Sequence, residues 1–278
     1  VEQGIKPIIG SEIYIVPKSM HIKHVDKENE TYHLVLLVKN EVGYSNLMKI
    51  VSTASVEGFY YKPRIDHNYL KEHSEGLIAL SACLGGEVQA HMLNGNYEKA
   101  KEAALFYQSV FGEDFYLELQ YHGMTEQLKV NNDIIKLSKE INAPLVVTND
   151  VHYIKAEDYT AHDVLLCIQT GKTVDEENRM RYPSDQFYLK SAEEMYSMFS
   201  HVPEALENTV RIAEKCNFDY EFHHSKLPKF PLPEGVDPYD YLRDNCFKGL
   251  VEHDDVFQGL RGVEFNKIYS EVKKLSKE

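Results

Sequence analysis

Short runs of β-branched and apolar residues alternate along this chain with amphipathic stretches long enough for helices, and this alternation limits the fold more than any single motif. Lys6 to Val16 reads as a strand (Pro7-Ile8-Ile9, then Ile13-Tyr14-Ile15-Val16), and His33 to Val38 as a second. A helix is expected from Tyr44 to Val56, a strand over Leu77 to Ser81, and helices over Glu87 to Leu93 and Tyr97 to Phe111. Strand Phe115 to Leu119, helix Glu126 to Glu140, strand Leu145 to Thr148 and a helix over Ala161 to Gln169 follow. Strands separated by helices of this length predict parallel βαβ units, in an open sheet or a barrel. Neither an internal repeat nor a low-complexity tract interrupts them.

The punctuation changes near residue 226. Lys226-Leu-Pro-Lys-Phe-Pro-Leu-Pro-Glu-Gly235 is too rich in proline to continue a helix or a central strand, and reads as a linker. Two helical stretches follow, Tyr239 to Glu252 and Glu264 to Lys277, too few to make a domain alone. The expected division is therefore residues 1–225, a linker at 226–236, and the helical beginning of another domain at 237–278. The chain opens on Val1 rather than Met, and its last helix, with Phe265, Ile268, Val272 and Leu275 on one stripe, meets no capping Gly or Pro. On this reading it is an internal piece of a longer protein.

Composition narrows the function classes. Thirty Lys and Arg against 44 Asp and Glu leave a formal charge of −14 over 278 residues, so overall charge would not grip a phosphate backbone. Hydrophobic residues at 43% are globular in proportion, and no apolar run reaches the roughly 18 residues of a membrane span. The four cysteines, Cys83, Cys167, Cys216 and Cys246, are widely spaced, which disfavours a disulfide framework and predicts a reducing, cytoplasmic setting. Phosphate-loop, dinucleotide-binding and nucleophile-elbow motifs are absent from the sequence. Its aromatics are not interleaved with a basic stripe, so no single-strand stacking platform is visible.

Candidate chemistry falls at strand ends. In Asp150-Val151-His152, residues two apart on an extended chain project to one side, so a carboxylate and an imidazole would meet at the exit of strand Leu145 to Thr148. Parallel barrels place their sites at that end, and both groups are ordinary metal ligands. The same tripeptide also suits a turn Asp beside a surface His. Glu12 sits among Ile8, Ile9, Ile13 and Ile15, where a carboxylate needs compensation if buried and none if it is a solvated edge residue. Cys83 follows Leu77-Ile-Ala-Leu80 and precedes Gly85-Gly86, a place for close backbone approach, though a lone Cys there is also a small buried hydrophobe. By pattern alone His33 stands at a strand entrance, the wrong end for a parallel-barrel site, and reads as structural. His162 reads as a helix-face residue, His223 and His224 as solvated loop, and Cys167 and Met92 as core.

Several phrases, taken in order, carry a resemblance. They include Gly4-Ile-Lys-Pro-Ile-Ile-Gly-Ser-Glu12, His33-Leu-Val-Leu-Leu-Val-Lys-Asn40, Gly43-Tyr-Ser-Asn-Leu47 and Glu57-Gly-Phe-Tyr-Tyr-Lys-Pro-Arg-Ile-Asp66. Glu75-Gly-Leu-Ile-Ala-Leu-Ser-Ala-Cys-Leu-Gly-Gly-Glu87, Thr148-Asn-Asp-Val-His-Tyr153, Phe187-Tyr-Leu-Lys-Ser-Ala-Glu-Glu-Met195 and Leu227-Pro-Lys-Phe-Pro231 extend it over essentially the whole chain. As a set they resemble the N-terminal region of bacterial replicative DNA polymerase III alpha subunits, with the polymerase and histidinol phosphatase (PHP) domain followed by the approach to the polymerase palm.

The resemblance implies a distorted (β/α)7 PHP barrel, here without its first strands, and a cluster of divalent metal ions (Zn²⁺, Mn²⁺ or Fe²⁺). By motif, the family's ligand positions fall on Glu12, His33, Cys83, Asp150 and His152, which reverses the structural reading of His33. The family's first ligands, a His-x-His pair and a further histidine, are expected before Val1, and the Mg²⁺-binding polymerase carboxylates after Glu278. The segment alone is therefore expected neither to polymerise DNA nor to hold a complete cluster. The implied parent is a cytoplasmic DNA-directed DNA polymerase that meets DNA, dNTPs, a sliding clamp, a clamp loader and a separate proofreading exonuclease. Within it this domain would be a 3′→5′ proofreading exonuclease, with an inactive docking scaffold or a free-standing phosphoesterase as the alternatives.

Overall fold

The computed structural model describes residues 4–24, 26–223, 228 and 230–252. The chain divides into two units, residues 1–220 and 221–278. In the second, helix α9 (Pro238–Glu252) is the described helix, and the expected helix Glu264 to Lys277 lies outside the described residues.

The first unit is an α/β structure built on six strands. In chain order its elements are β1 (Gly10–Val16), β2 (Tyr32–Val38), α1 (Glu41–Val56), β3 (Arg64–Asp66), α2 (His67–Glu72), β4 (Leu77–Leu80), α3 (Glu87–Leu93) and α4 (Tyr97–Phe111). After these come β5 (Phe115–Leu119), α5 (Thr125–Ile141), β6 (Leu145–Val147), α6 (Tyr159–Thr170), α7 (Ala192–Phe199) and α8 (Pro203–Lys215). The sheet order is β3-β1-β2-β4-β5-β6, and β3 and β6 stand at its edges among the described residues. This architecture accords with the expected barrel class, with one departure from uniform βαβ units. Strand β2 runs antiparallel to both neighbours, β1 and β4, whereas β1–β3, β4–β5 and β5–β6 are parallel. A reversed strand needs no crossover helix, and β1 and β2 indeed connect without one.

Local sequence sets the boundaries. The Asn40 side chain caps α1 by accepting from the Gly43 N–H, and Leu47, Ile50 and Ala54 bury one stripe. Gly43 is required by packing, since a Cβ there would lie 1.9 Å from the Gly76 carbonyl oxygen. Asn142 and Gly171, both left-handed, end α5 and α6, Ser191 and Glu194 form a capping box on α7, and Pro203 opens α8. Alternation along the strands separates two faces. Ile13, Ile15, Leu34, Leu36, Ala79, Phe115, Leu117 and Val147 join the main core with residues of α1, α3, α4 and α5. On the other face a smaller cluster gathers Ile78, Leu80, Tyr116 and Val146 with Ile212 and Cys216. Helix α8 contributes to both clusters, so it rides over the β6 edge, and Asn208 there donates to the Leu145 carbonyl (2.7 Å). Cys167 and Met92 are buried, as the pattern predicts.

Candidate functional site

The reversal of β2 decides where His33 goes. Because β2 runs against β4, with Val35 opposite Leu80 and Val38 opposite Leu77, its first residues lie beside the chain leaving β4. The His33 N–H donates to the Gly85 carbonyl (2.9 Å) and the residue bridges to Gly86. The entrance of β2 thus coincides with the exits of the parallel strands, which corrects the inference from pattern that His33 lies at the wrong end. The expectation of uniformly parallel strands was the source of that error.

Glu12, His33 and Cys83 meet there. His33 Nδ1 is 2.8 Å from a Glu12 carboxylate oxygen and 3.6 Å from the Cys83 sulfur, which itself accepts from the Gly85 N–H at 3.4 Å. The bonds to the Cys83 thiol and the Glu12 carboxylate push His33 up to about 10, and in return the bond from His33 holds Glu12 below its ordinary value. Asp150 and His152 form a second group at the exit of β6. His152 Nδ1 lies 3.9 Å from the Asp150 carboxylate and 2.9 Å from its carbonyl oxygen, and each side chain is 31% exposed. Both groups stand at the exit end of the parallel strands, and the Tyr182 ring packs against His152 of the second group at 4.6 Å. Among the described residues, no three His, Cys, Asp or Glu side chains stand in an arrangement that could hold a metal ion.

The donor set nevertheless suits divalent cations. The two groups hold two carboxylates, two imidazoles and a thiol, and neither Glu12 nor Asp150 has a Lys or Arg partner within an ion-pair distance among the described residues. A third carboxyl group lies beneath the two turns. Glu118, buried on β5, accepts from the Ala82 N–H (2.9 Å), from Gln120 (2.9 Å) and from the Thr148 hydroxyl, all neutral donors. Burial raises its carboxyl above the ordinary value. Through these bonds Glu118 ties the turn that presents Cys83 to the turn that presents Asp150. Both turns hold a non-glycine residue in the left-handed region, Ala82 at φ 65° and Asp150 at φ 39°, and such backbone persists only where its surroundings fix it.

More residues fix the second turn. His122, 1% exposed, donates from Nε2 to the Asn149 carbonyl (3.0 Å) and stacks on Phe187, and burial lowers its proton affinity. A carbonyl partner makes that nitrogen the N–H donor. His152 N–H donates to the Phe187 carbonyl (2.8 Å). His162 is more than the helix-face residue expected. It packs against His152, Tyr153 and Tyr182, and its Nδ1 is buried without a hydrogen-bond partner among the described residues. Sequence reading missed Glu118 although a signal existed, since a Glu within the strand Phe115-Tyr-Leu-Glu-Leu119 poses the same burial problem as Glu12. For Tyr182, in irregular backbone, the sequence offered no comparable signal.

Comparison with known proteins gives these residues a context. Residues 1–122 match the PHP domain family. The DNA polymerase III subunit alpha of Borreliella burgdorferi is 47% identical over 250 residues, covering 89% of this chain and 22% of that protein. That of Treponema pallidum is 44% identical over 257 residues (90% and 22%), and that of Thermus aquaticus 42% over 256 residues (89% and 21%). The chain thus spans about a fifth of the length of the relatives it matches. It is a homologue of the DNA polymerase III alpha subunits, and its first 122 residues carry a PHP domain.

Proposed function

We propose that this segment is a metal-dependent phosphodiesterase, a 3′→5′ proofreading exonuclease within a replicative DNA polymerase. Its parent would extend DNA from dNTPs using Mg²⁺-bound carboxylates elsewhere in the protein, together with a sliding clamp and clamp loader in the cytoplasm. The observation that carries this reading is the contact of Glu12, His33 and Cys83 at one end of the sheet, the end at which Asp150 and His152 also leave β6. PHP domains generally bind divalent metals, and these five side chains would hold the ions, with zinc, manganese or iron compatible with the mixed N, O and S donors. Bound ions would supply Lewis acidity toward a phosphoryl oxygen and make a water more acidic.

The chain's own residues account for the rest. Glu12 and Asp150 bring negative charge that neutralises the cations, while half-exposed side chains leave the site open to a strand end. Glu118 and His122 hold the Cys83 and Asp150 turns in register. No helix among the described residues is long and apolar enough to cross a membrane.

The test uses the natural protein that carries this sequence. Asp150→Asn with His152→Ala should lower bound metal and reduce hydrolysis of a 3′-labelled oligonucleotide by about 100-fold or more while DNA synthesis persists. Unchanged metal content and cleavage would refute the assignment. Absence of cleavage by the wild-type protein, with loss of folding or of partner binding in the variant, would favour a docking scaffold instead.

A further inference from the structure

We propose that the turn Phe59–Lys62 receives the end of a single DNA strand, with Tyr61 stacking on an unpaired base and Lys62 meeting the backbone phosphate. The proposal rests on the hydrolytic reading above and names how that site would hold its substrate. Phe59 is 56% exposed and Tyr61 81% exposed, so two large rings stand in solvent within three residues. Tyr61 also sits in the left-handed region at φ 57°, an outlier for a bulky residue. Pro63 restricts Lys62, not Tyr61, and so does not account for it.

The turn is built to keep this ring outside. Tyr60 N–H donates to the Lys62 carbonyl (3.0 Å), closing the turn. Beneath it Arg64, 3% exposed, donates to the carbonyls of Gly58 (3.2 Å), Met20 (3.2 Å) and Ile22 (3.0 Å), and its guanidinium lies over the Tyr60 ring. Lys23 donates to the Glu57 and Phe59 carbonyls at 2.6 and 2.9 Å. A Cβ on Gly58 would fall 1.6 Å from the Arg64 carbonyl oxygen, so the two ends of the loop approach as closely as backbones can. With so many bonds holding the main chain, the exposure of Tyr61 is a fixed feature rather than a loose end.

A line of contacts leads from the turn to the candidate centre. The Lys62 ammonium lies 5.1 Å above the Tyr14 ring, and Tyr14 meets the His33 ring edge-on at 5.1 Å. Among the described residues Lys62 has no carboxylate within ion-pair distance, so its charge is available to an anion. A chain with a formal charge of −14 cannot hold a strand by bulk attraction. Stacking supplies affinity without net charge, and it selects single strands because a paired base hides its face. A stacking site of this kind lies outside what the basic-aromatic pattern of the sequence reveals, because its rings come from one short turn that carries a single lysine.

Binding can be read apart from hydrolysis. A thymidine dodecanucleotide carrying 2-aminopurine at its 3′ end is titrated at low salt, with divalent metal chelated, into the wild-type chain and its variants. Fluorescence should be quenched by the wild type. Tyr61→Gly, which removes the ring where glycine accepts the backbone angle, should weaken binding about 5- to 100-fold, and Tyr61→Phe should bind as the wild type does. Lys62→Ala should make the dependence of log affinity on log salt shallower by about 0.7. Wild-type affinity in Tyr61→Gly, or no binding by the wild-type chain, would overturn the proposal. If the hydrolytic reading alone is wrong, the strand still binds through Tyr61 and is not cleaved when Mn²⁺ is returned.

Discussion

The two faces of the sheet were made from the same strands and do different work. On the face covered by α1, α3, α4 and α5, alternate residues such as Ile15, Leu36, Phe115 and Leu117 are fully buried. On the other, Glu12, Tyr14, His33, Val35 and Leu37 are only partly covered, and toward the strand exits polar groups replace apolar ones. The first face supplies stability through burial, at about 1.5–3 kcal/mol for each fully buried large side chain. The second keeps charge and partly wet imidazole near one another at the expense of packing. A single strand such as β2 serves both, because its residues alternate between them.

Breaking the packed face should cost most. Phe115→Ala is expected to destabilise by about 3–5 kcal/mol, read as a fall in the urea midpoint, and a change under about 1 kcal/mol would show that the main core does not carry the fold. Glu118 tests the layer beneath the polar face. Glu118→Ala strands the Ala82 N–H, Thr148 and Gln120 and should cost about 2–3 kcal/mol. Its pH signature is distinct. Because burial raises its carboxyl above 4.5 in the folded state, its contribution is complete below that value and is lost as pH rises through the raised one. Glu118→Gln should flatten that decline in urea titrations at successive pH values, and an unchanged slope would exclude Glu118 as its source. Smallest of all, Tyr14→Phe keeps the ring contacts with His33 and Lys62 and should alter stability by less than about 0.5 kcal/mol. A larger loss would mean that the open face is packed more like its opposite.

The same contrast explains what could be read from sequence. Helices α3 and α4 begin and end where the apolar spacing places them, because that spacing is the buried stripe itself. The first strand is shorter than expected, starting at Gly10 rather than Lys6, although Ile9 still accepts a bond from Val38. Strand β3 and helix α2 are too short to give a periodic signal, whereas α7 and α8 are strongly amphipathic and lie in stretches where the sequence reading placed no helix. Periodicity also carries no sign, so it could find β2 without revealing that β2 is reversed, and the position of His33 depended on that sign alone. Family resemblance supplied it where spacing could not. Glu118 lay within reach of the reasoning applied to Glu12, whereas the exposed ring of Tyr61 follows from a backbone angle that no residue type in the turn announces.

The passage of α8 across β6 has a practical consequence. Asn208 occupies a backbone carbonyl that would otherwise advertise a free ladder, and Ile212 and Cys216 roof the inner cluster. A shortened version ending before Pro203 would bare a row of unmatched amides beside freshly uncovered Ile78 and Val146, an invitation to stacking between molecules. Anyone trimming this protein for crystallisation or labelling should therefore keep everything through Cys216.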